Sequence, residues 1–266
     1  MNRAMETTTT NSRQTSTLKD MQQVYQNYTK EDQQVWQLLY ERQMEGLPNQ
    51  ACHAFLEGLR TVQFRGEKIP DFSKVNNILK AINGWEVVAV EGIVDDKLFF
   101  KLLSERKFPA TTWLRKLSEL DYLEEPDMFH DVFGHVPLLT NGPVTAFLQA
   151  LSRIGYEHAD NPAAIELLSR IYWFTVEFGL IKENGELRVY GAGVLSSVGE
   201  TKFSLSQEPM HFAYSVDQIL DTPYRKDVFQ DRYFIIDSYE QLLGSIGEIR
   251  AKLEERLTHS VNKQGN

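Results

Sequence analysis

Glu125-Pro126-Asp127-Met128-Phe129-His130-Asp131-Val132-Phe133-Gly134-His135-Val136-Pro137 sets two histidines five positions apart in an apolar frame that ends on a helix stop. An ideal α-helix advances about 100° per residue, so this step turns the second imidazole well away from the first. Both reach one metal only where the helix loosens or stops between them. Gly134 before His135 and Pro137 after it supply such a break. Spacing alone leaves two readings open: a shared metal, or two satisfied polar residues at a surface turn.

Further along, Ile171-Tyr172-Trp173-Phe174-Thr175-Val176-Glu177-Phe178-Gly179 holds one carboxylate in an otherwise apolar helix. An ionised carboxylate buried without a partner costs several kcal/mol. Glu177 therefore either ligates a cation or pairs with an arginine such as Arg170 or Arg188. With Cys52 the only cysteine, no thiolate cluster is available. Two imidazoles and a carboxylate suit iron(II), or catalytic zinc, with coordination positions left open. A third reading makes the metal a mere staple between helices.

The 266-residue chain carries a net charge of −9 and a pI near 5.3, which argues against nucleic acid as its main partner. No stretch is long and apolar enough for a membrane span. Met1 to Thr17 lacks the apolar core of a secretory signal, so residues 1–20 read as a disordered tail and the cytoplasm as the default compartment. Residues 21–266 read as one catalytic domain of α+β class, predominantly helical, with a few short strands and hairpins. Cys52 reads as a buried apolar filler.

Thr29 predicts a cap on a first helix, and a second helix follows Leu47-Pro48. Asp71 or Ser73 starts a third that stops at Gly84. Trp85–Val90 reads as a strand, Asp95–Lys107 as a helix, and Thr111–Arg115 as β-prone. Helices are expected from about Pro143 to Gly155 and after Asn161-Pro162. Asn184-Gly185 signals a hairpin returning through Leu187–Tyr190. Gly191-Ala192-Gly193 reads as a tight turn, Arg232–Ile236 as a strand, and Ser238–Leu257 as helical.

The segments EPDMFHDVFGHVPL, IYWFTVEFGL and YGAGVLSSVGE resemble the pterin-dependent aromatic amino acid hydroxylases, and among them the short bacterial phenylalanine 4-hydroxylases. The resemblance runs from about residue 70 to 240. It implies an iron(II)- and tetrahydropterin-dependent monooxygenase that uses dioxygen to convert L-phenylalanine to L-tyrosine. Tryptophan hydroxylation within the same family, or a zinc hydrolase built on the same three residues, stands as the alternative. By the resemblance His130, His135 and Glu177 bind the iron. Arg115 grips the substrate carboxylate, Asp127 steadies that arginine, Trp173 walls the substrate ring, and Ser196 bonds the substrate or a metal ligand. Gly92, Ile93, Val94, Phe99 and Asp131 match the pterin site, and Glu200 a supporting acid. Nothing beyond the iron centre is expected to act as a catalytic group. Trp173 precedes Glu177 by four residues, which on an α-helix puts both on one face.

Two departures from the family pattern stand out. Leu123-Glu124 replace a Thr-Pro of animal members, and Lys226 stands where phenylalanine-type relatives are apolar and tyrosine-type ones acidic. The animal enzymes' regulatory domain and tetramerisation coiled coil have no counterpart, so a monomer is expected. Its partners are small molecules alone: the aromatic amino acid, the pterin and dioxygen.

Overall fold

Polar caps start most of the helices, as the sequence predicts. The structure is a computed structural model, and it describes residues 21–121, 125–226 and 228–264. The tail at 1–20 and the Leu123-Glu124 departure lie outside the described residues. Thr29 and Asp32 form a reciprocal cap on α1 (Lys30–Met44), which leads into α2 (Leu47–Gln50) and α3 (His53–Thr61). Asp71 caps α4 (Phe72–Asn83), and Gly84 ends it in the left-handed region at φ 79°. Strand β1 (Glu86–Val90) follows, then α5 (Asp96–Ser104), capped by Asp95, and β2 (Lys107–Thr111).

After the two-histidine segment come α6 (Gly142–Glu157) and α7 (Pro162–Tyr172), capped by Asn141 and Asn161. Strands β3 (Leu180–Glu183) and β4 (Glu186–Val189) make the expected hairpin across Asn184-Gly185, both residues at positive φ. The rest is α8 (Ala192–Leu195), α9 (Val198–Ser204), β5 (Met210–Ala213), α10 (Val216–Asp221), β6 (Arg232–Ile236), α11 (Tyr239–Gly244) and α12 (Ile246–Gln264). Strands β1 and β2 pair in parallel, and a second sheet runs β4-β3-β6-β5. The α+β, predominantly helical class holds.

Several local expectations are corrected. The helix expected through Lys107 stops at Ser104, because Lys107 already pairs with Glu86 in β2. Of Thr111–Arg115 only Thr111 is strand: its partner β1 ends at Val90, so the residues beyond have nothing to pair with. Gly191-Ala192-Gly193 opens α8 rather than forming a tight turn. The final helix is broken at Ser245 into α11 and α12. Strand β5 carried no clear alternation and exists through its pairing with β6.

The two-histidine segment is itself a π-helical turn, Phe129–His135, followed by a 3₁₀ turn, Val136–Thr140. Its inner face is apolar: Met128, Phe129, Val132, Phe133 and Val136 are fully buried. Phe129 stacks on Phe133 at 4.6 Å, and Trp36, Tyr40 and Phe55 meet those two rings edge-on. Each such side chain is worth roughly 1.5–3 kcal/mol when removed from water, enough to offset the poorer hydrogen bonds of a π turn.

Two glycines let backbone approach this region. A Cβ on Gly134 would sit 2.9 Å from the Ala192 carbonyl, and one on Gly191 would sit 2.4 Å from the Glu177 carbonyl and 2.5 Å from the Gly179 nitrogen. The neighbours of Gly191 are backbone and cannot step aside. Gly191→Ala is therefore expected to cost about 1–3 kcal/mol, read as a lowered midpoint in thermal or urea unfolding.

Candidate metal centre

His130 and His135 share a face because the turn that carries them is π-helical. Its i→i+5 hydrogen bonding sets residue 135 over residue 130, as i+4 sits over i in an α-helix. The expected break after His135 is present as the 3₁₀ turn, but loosening within the helix is what aligns the pair. The rings stand 5.2 Å apart at 85°. Glu177 closes a second π-helical turn, Trp173–Glu177, at the end of α7. Its carboxylate lies 3.2 Å from Nε2 of His135 and 3.6 Å from Nε2 of His130. One ligand atom from each of the three falls within 4.8 Å of the others.

This donor set fits a cation. Metal–ligand bonds of about 2.1 Å put adjacent ligands roughly 3 Å apart, close to the two separations seen here. The arginine reading of Glu177 is overturned: Arg170 bonds Glu166 and the Leu220 carbonyl, and Arg188 bonds Glu186 and the Asn49 carbonyl. Burial pushes the Glu177 carboxyl up, but the two imidazoles and the Tyr172 hydroxyl outweigh it and hold it below the usual range. All three ligand side chains keep little exposure, 21%, 5% and 13% for His130, His135 and Glu177. Phe108 packs on the His135 ring at 4.8 Å.

Ser196 sets the state of His130. Its hydroxyl donates to the Ala192 carbonyl at 2.8 Å and lies 2.9 Å from Nδ1 of His130. Having spent its one proton, the hydroxyl accepts from Nδ1–H, which leaves the Nε2 lone pair facing Glu177. A histidine so oriented by its other nitrogen is prepared as a ligand.

Asp127 is fully buried, and its carboxylate accepts four N–H groups. Nε and Nη2 of Arg115 bond it at 2.8 and 3.0 Å, the Arg115 backbone at 3.0 Å and the His130 backbone at 3.1 Å. Burial raises this carboxyl and Arg115 more than cancels it, leaving it below the usual range. One side chain thus ties the arginine to the first metal-site histidine. Asp131 turns the other way, accepting from the Thr111 backbone at 2.8 Å and hydroxyl at 2.9 Å, and burial pushes its carboxyl up.

Tyr172, five residues before Glu177, lies close enough that its hydroxyl lowers the Glu177 carboxyl while burial and that carboxylate raise its own phenol. Trp173, four residues before Glu177, packs against Tyr224, stacked at 4.4 Å, and Phe178 at 4.6 Å. Phe99 meets the Tyr172 ring at 5.3 Å, which brings it beside the centre. Gly92, Ile93 and Val94 form the surface connection from β1 to α5, with Ile93 77% exposed. Lys226 is exposed. Glu200 is buried and accepts from the Tyr233 hydroxyl and the Gln230 backbone. Tyr172, Tyr224, Gln230 and Thr111 went unnoticed in the sequence. Only Tyr172 carried a signal, the same five-residue step as the histidines.

A family profile described as biopterin-dependent aromatic amino acid hydroxylase matches residues 4–264. The chain belongs to the biopterin-dependent aromatic amino acid hydroxylases. The phenylalanine-4-hydroxylase of Ralstonia nicotianae is 46% identical over 226 residues, 85% of this chain and 72% of that protein. The phenylalanine hydroxylase of Chromobacterium violaceum with bound iron(III) and 7,8-dihydrobiopterin matches with a TM-score of 0.84 at 44% identity, over 89% of this chain and 85% of that one. The same enzyme with iron and phenylalanine bound matches at 0.83 and 42% identity, over 89% and 86%. The chain is thus an oxidoreductase of the pterin-dependent class, and its hydroxylase fold extends through the helical body described above.

Ser196→Ala removes the group that orients His130. Metal affinity is expected to fall roughly 10- to 100-fold with the circular dichroism spectrum unchanged, as read by titration with iron(II) under anaerobic conditions.

Proposed function

We propose that this hydroxylase converts L-phenylalanine to L-tyrosine with iron(II), a tetrahydropterin and dioxygen. The observation that carries the reading is the convergence of His130, His135 and Glu177 beside an arginine anchored to the same turn. Two nitrogens and one carboxylate occupy one side of a cation and leave the other side open, as oxygen chemistry needs and a closed four-ligand site forbids. Bound iron(II) and tetrahydropterin together supply the activation of dioxygen. Everything else asked of the chain is positioning, protonation state and exclusion of water.

In this reading Arg115 takes the substrate carboxylate. Asp127 occupies its Nε and Nη2, so the guanidinium keeps its remaining N–H groups for a second anion at a fixed angle. Trp173, held between Tyr224 and Phe178, walls the substrate ring, and Ser196 keeps His130 in its ligating tautomer. Phe99, with Gly92, Ile93 and Val94 on the neighbouring connection, faces the pterin. Asp131, steadied by Thr111, completes that side. Tyr172, five residues before Glu177, favours the ionised form of that carboxyl.

We further propose a cytoplasmic monomer. No described helix is long and apolar enough to cross a membrane. The apolar stripe of α12 is spent on its own chain, with Ile249 and Leu253 fully buried.

The direct test is aerobic turnover with iron(II), reduced pterin and a panel of phenylalanine, tryptophan and tyrosine, with products identified. Tyrosine from phenylalanine is expected to dominate; preferential hydroxylation of tryptophan would replace the substrate assignment. Glu177→Ala is expected to lose iron and turnover while keeping its secondary structure. Arg115→Ala should raise the KM for phenylalanine roughly 10- to 100-fold, with iron content unchanged by elemental analysis.

A further inference from the structure

Gln230 lies at the end of the loop that follows α10, 5% exposed, with every polar atom of its side chain engaged. Nε2 donates to the carbonyls of Arg225 at 2.8 Å and Val228 at 3.1 Å, and Oε1 accepts from Nε1 of Trp173 at 2.9 Å. The amide cannot be turned over: that would set its NH₂ against an indole that only donates, and its oxygen against two carbonyls. Its backbone N–H donates to the buried Glu200 carboxylate, which also holds the Tyr233 hydroxyl. The amide is therefore anchored from behind as well.

The Trp173 ring has two kinds of restraint. Tyr224 and Phe178 on its faces fix the plane of the indole. Stacking constrains a swing of the ring's edge along that plane, by χ1, less than it constrains tilt. The hydrogen bond to Gln230 restrains that swing at the indole edge. Phe229 adds a wedge, its ring packed where Gly199 has no side chain, and that keeps the loop seated on α9 beside Glu200.

We propose that Gln230 is a positioning residue for hydroxylation: it holds the Trp173 indole at the angle that shapes the substrate-ring pocket. The inference rests on the reading of Trp173 as the wall of that pocket. Gln230 touches no reacting atom and acts through the tryptophan alone.

A double-mutant cycle on the iron-loaded enzyme tests it. Gln230→Met keeps the length of the side chain and removes the acceptor; Trp173→Phe keeps a stacking ring and removes the N–H. Each alone is expected to raise the KM for phenylalanine about fivefold, the factor one lost hydrogen bond carries, with kcat changed less than about twofold. In the Trp173→Phe background, Gln230→Met should add less than about twofold. Equal effects in both backgrounds would mean that Gln230 serves only the loop, and would overturn the inference. An unchanged KM in Trp173→Phe would remove the wall reading and the inference with it. A raised KM there, beside an unchanged KM in Gln230→Met, would remove the inference alone. Should Gln230→Met fail to fold, the wild-type chain still decides. In protein loaded with diamagnetic zinc(II), the Trp173 indole N–H, assigned by its loss in Trp173→Phe, is expected to exchange at least about tenfold more slowly than a free indole. Exchange at the free rate would overturn the proposal.

Discussion

An i→i+5 hydrogen-bond ladder at two places in the chain is the constraint on which this site depends. Residues five apart point in different directions on an α-helix and in the same direction on a π turn. His130 and His135 meet by that rule, and so do Tyr172 and Glu177. A π turn is poorer in hydrogen-bond geometry than an α turn, so something else must hold it open. On the histidine side it is the stacked pair Phe129 and Phe133 with Trp36, Tyr40 and Phe55 around them. On the glutamate side Gly191 brings the start of α8 against the Glu177 carbonyl, and Gly179 makes room for the Tyr190 ring and the Thr175 carbonyl. The apolar core and the metal-site geometry are therefore two faces of the same turns.

Polar side chains then convert geometry into chemical state. Ser196 chooses the tautomer of His130 by having only one proton to give, and that proton is used on Ala192. Asp127 is a buried charge that survives because four donors surround it, three of them from the arginine proposed to meet the substrate. Removing either partner of that pair would strand a charge in the interior. The same logic applies at Gln230, whose amide closes a loop and an indole at once. Each of these groups is satisfied on every side turned toward the protein.

Much of the fold was legible. The caps at Thr29, Asp71 and Asn161, the left-handed stop at Gly84 and the Asn184-Gly185 hairpin all act locally, through side chains a few residues from the backbone they satisfy. Where expectation failed, a distant partner decided. Lys107 is strand because Glu86 lies beside it, and Met210–Ala213 is strand because β6 does. The Gly191-Ala192-Gly193 run became a helix start because its small residues were needed for close approach to Glu177, not for a tight turn.

The metal-site donors were visible in the chain because two histidines in an apolar frame and one acid in an apolar helix are costly unless a cation or an arginine meets them. Composition and charge likewise bounded the class of partner without reference to shape. Sequence left undecided whether Glu177 faced a guanidinium or the imidazoles, and only the folded chain chose, by sending Arg170 and Arg188 to other acceptors. It also decided Tyr172, Tyr224 and Gln230. Their roles come from groups up to 57 residues away meeting in space, and a linear pattern carries no record of which surfaces will touch.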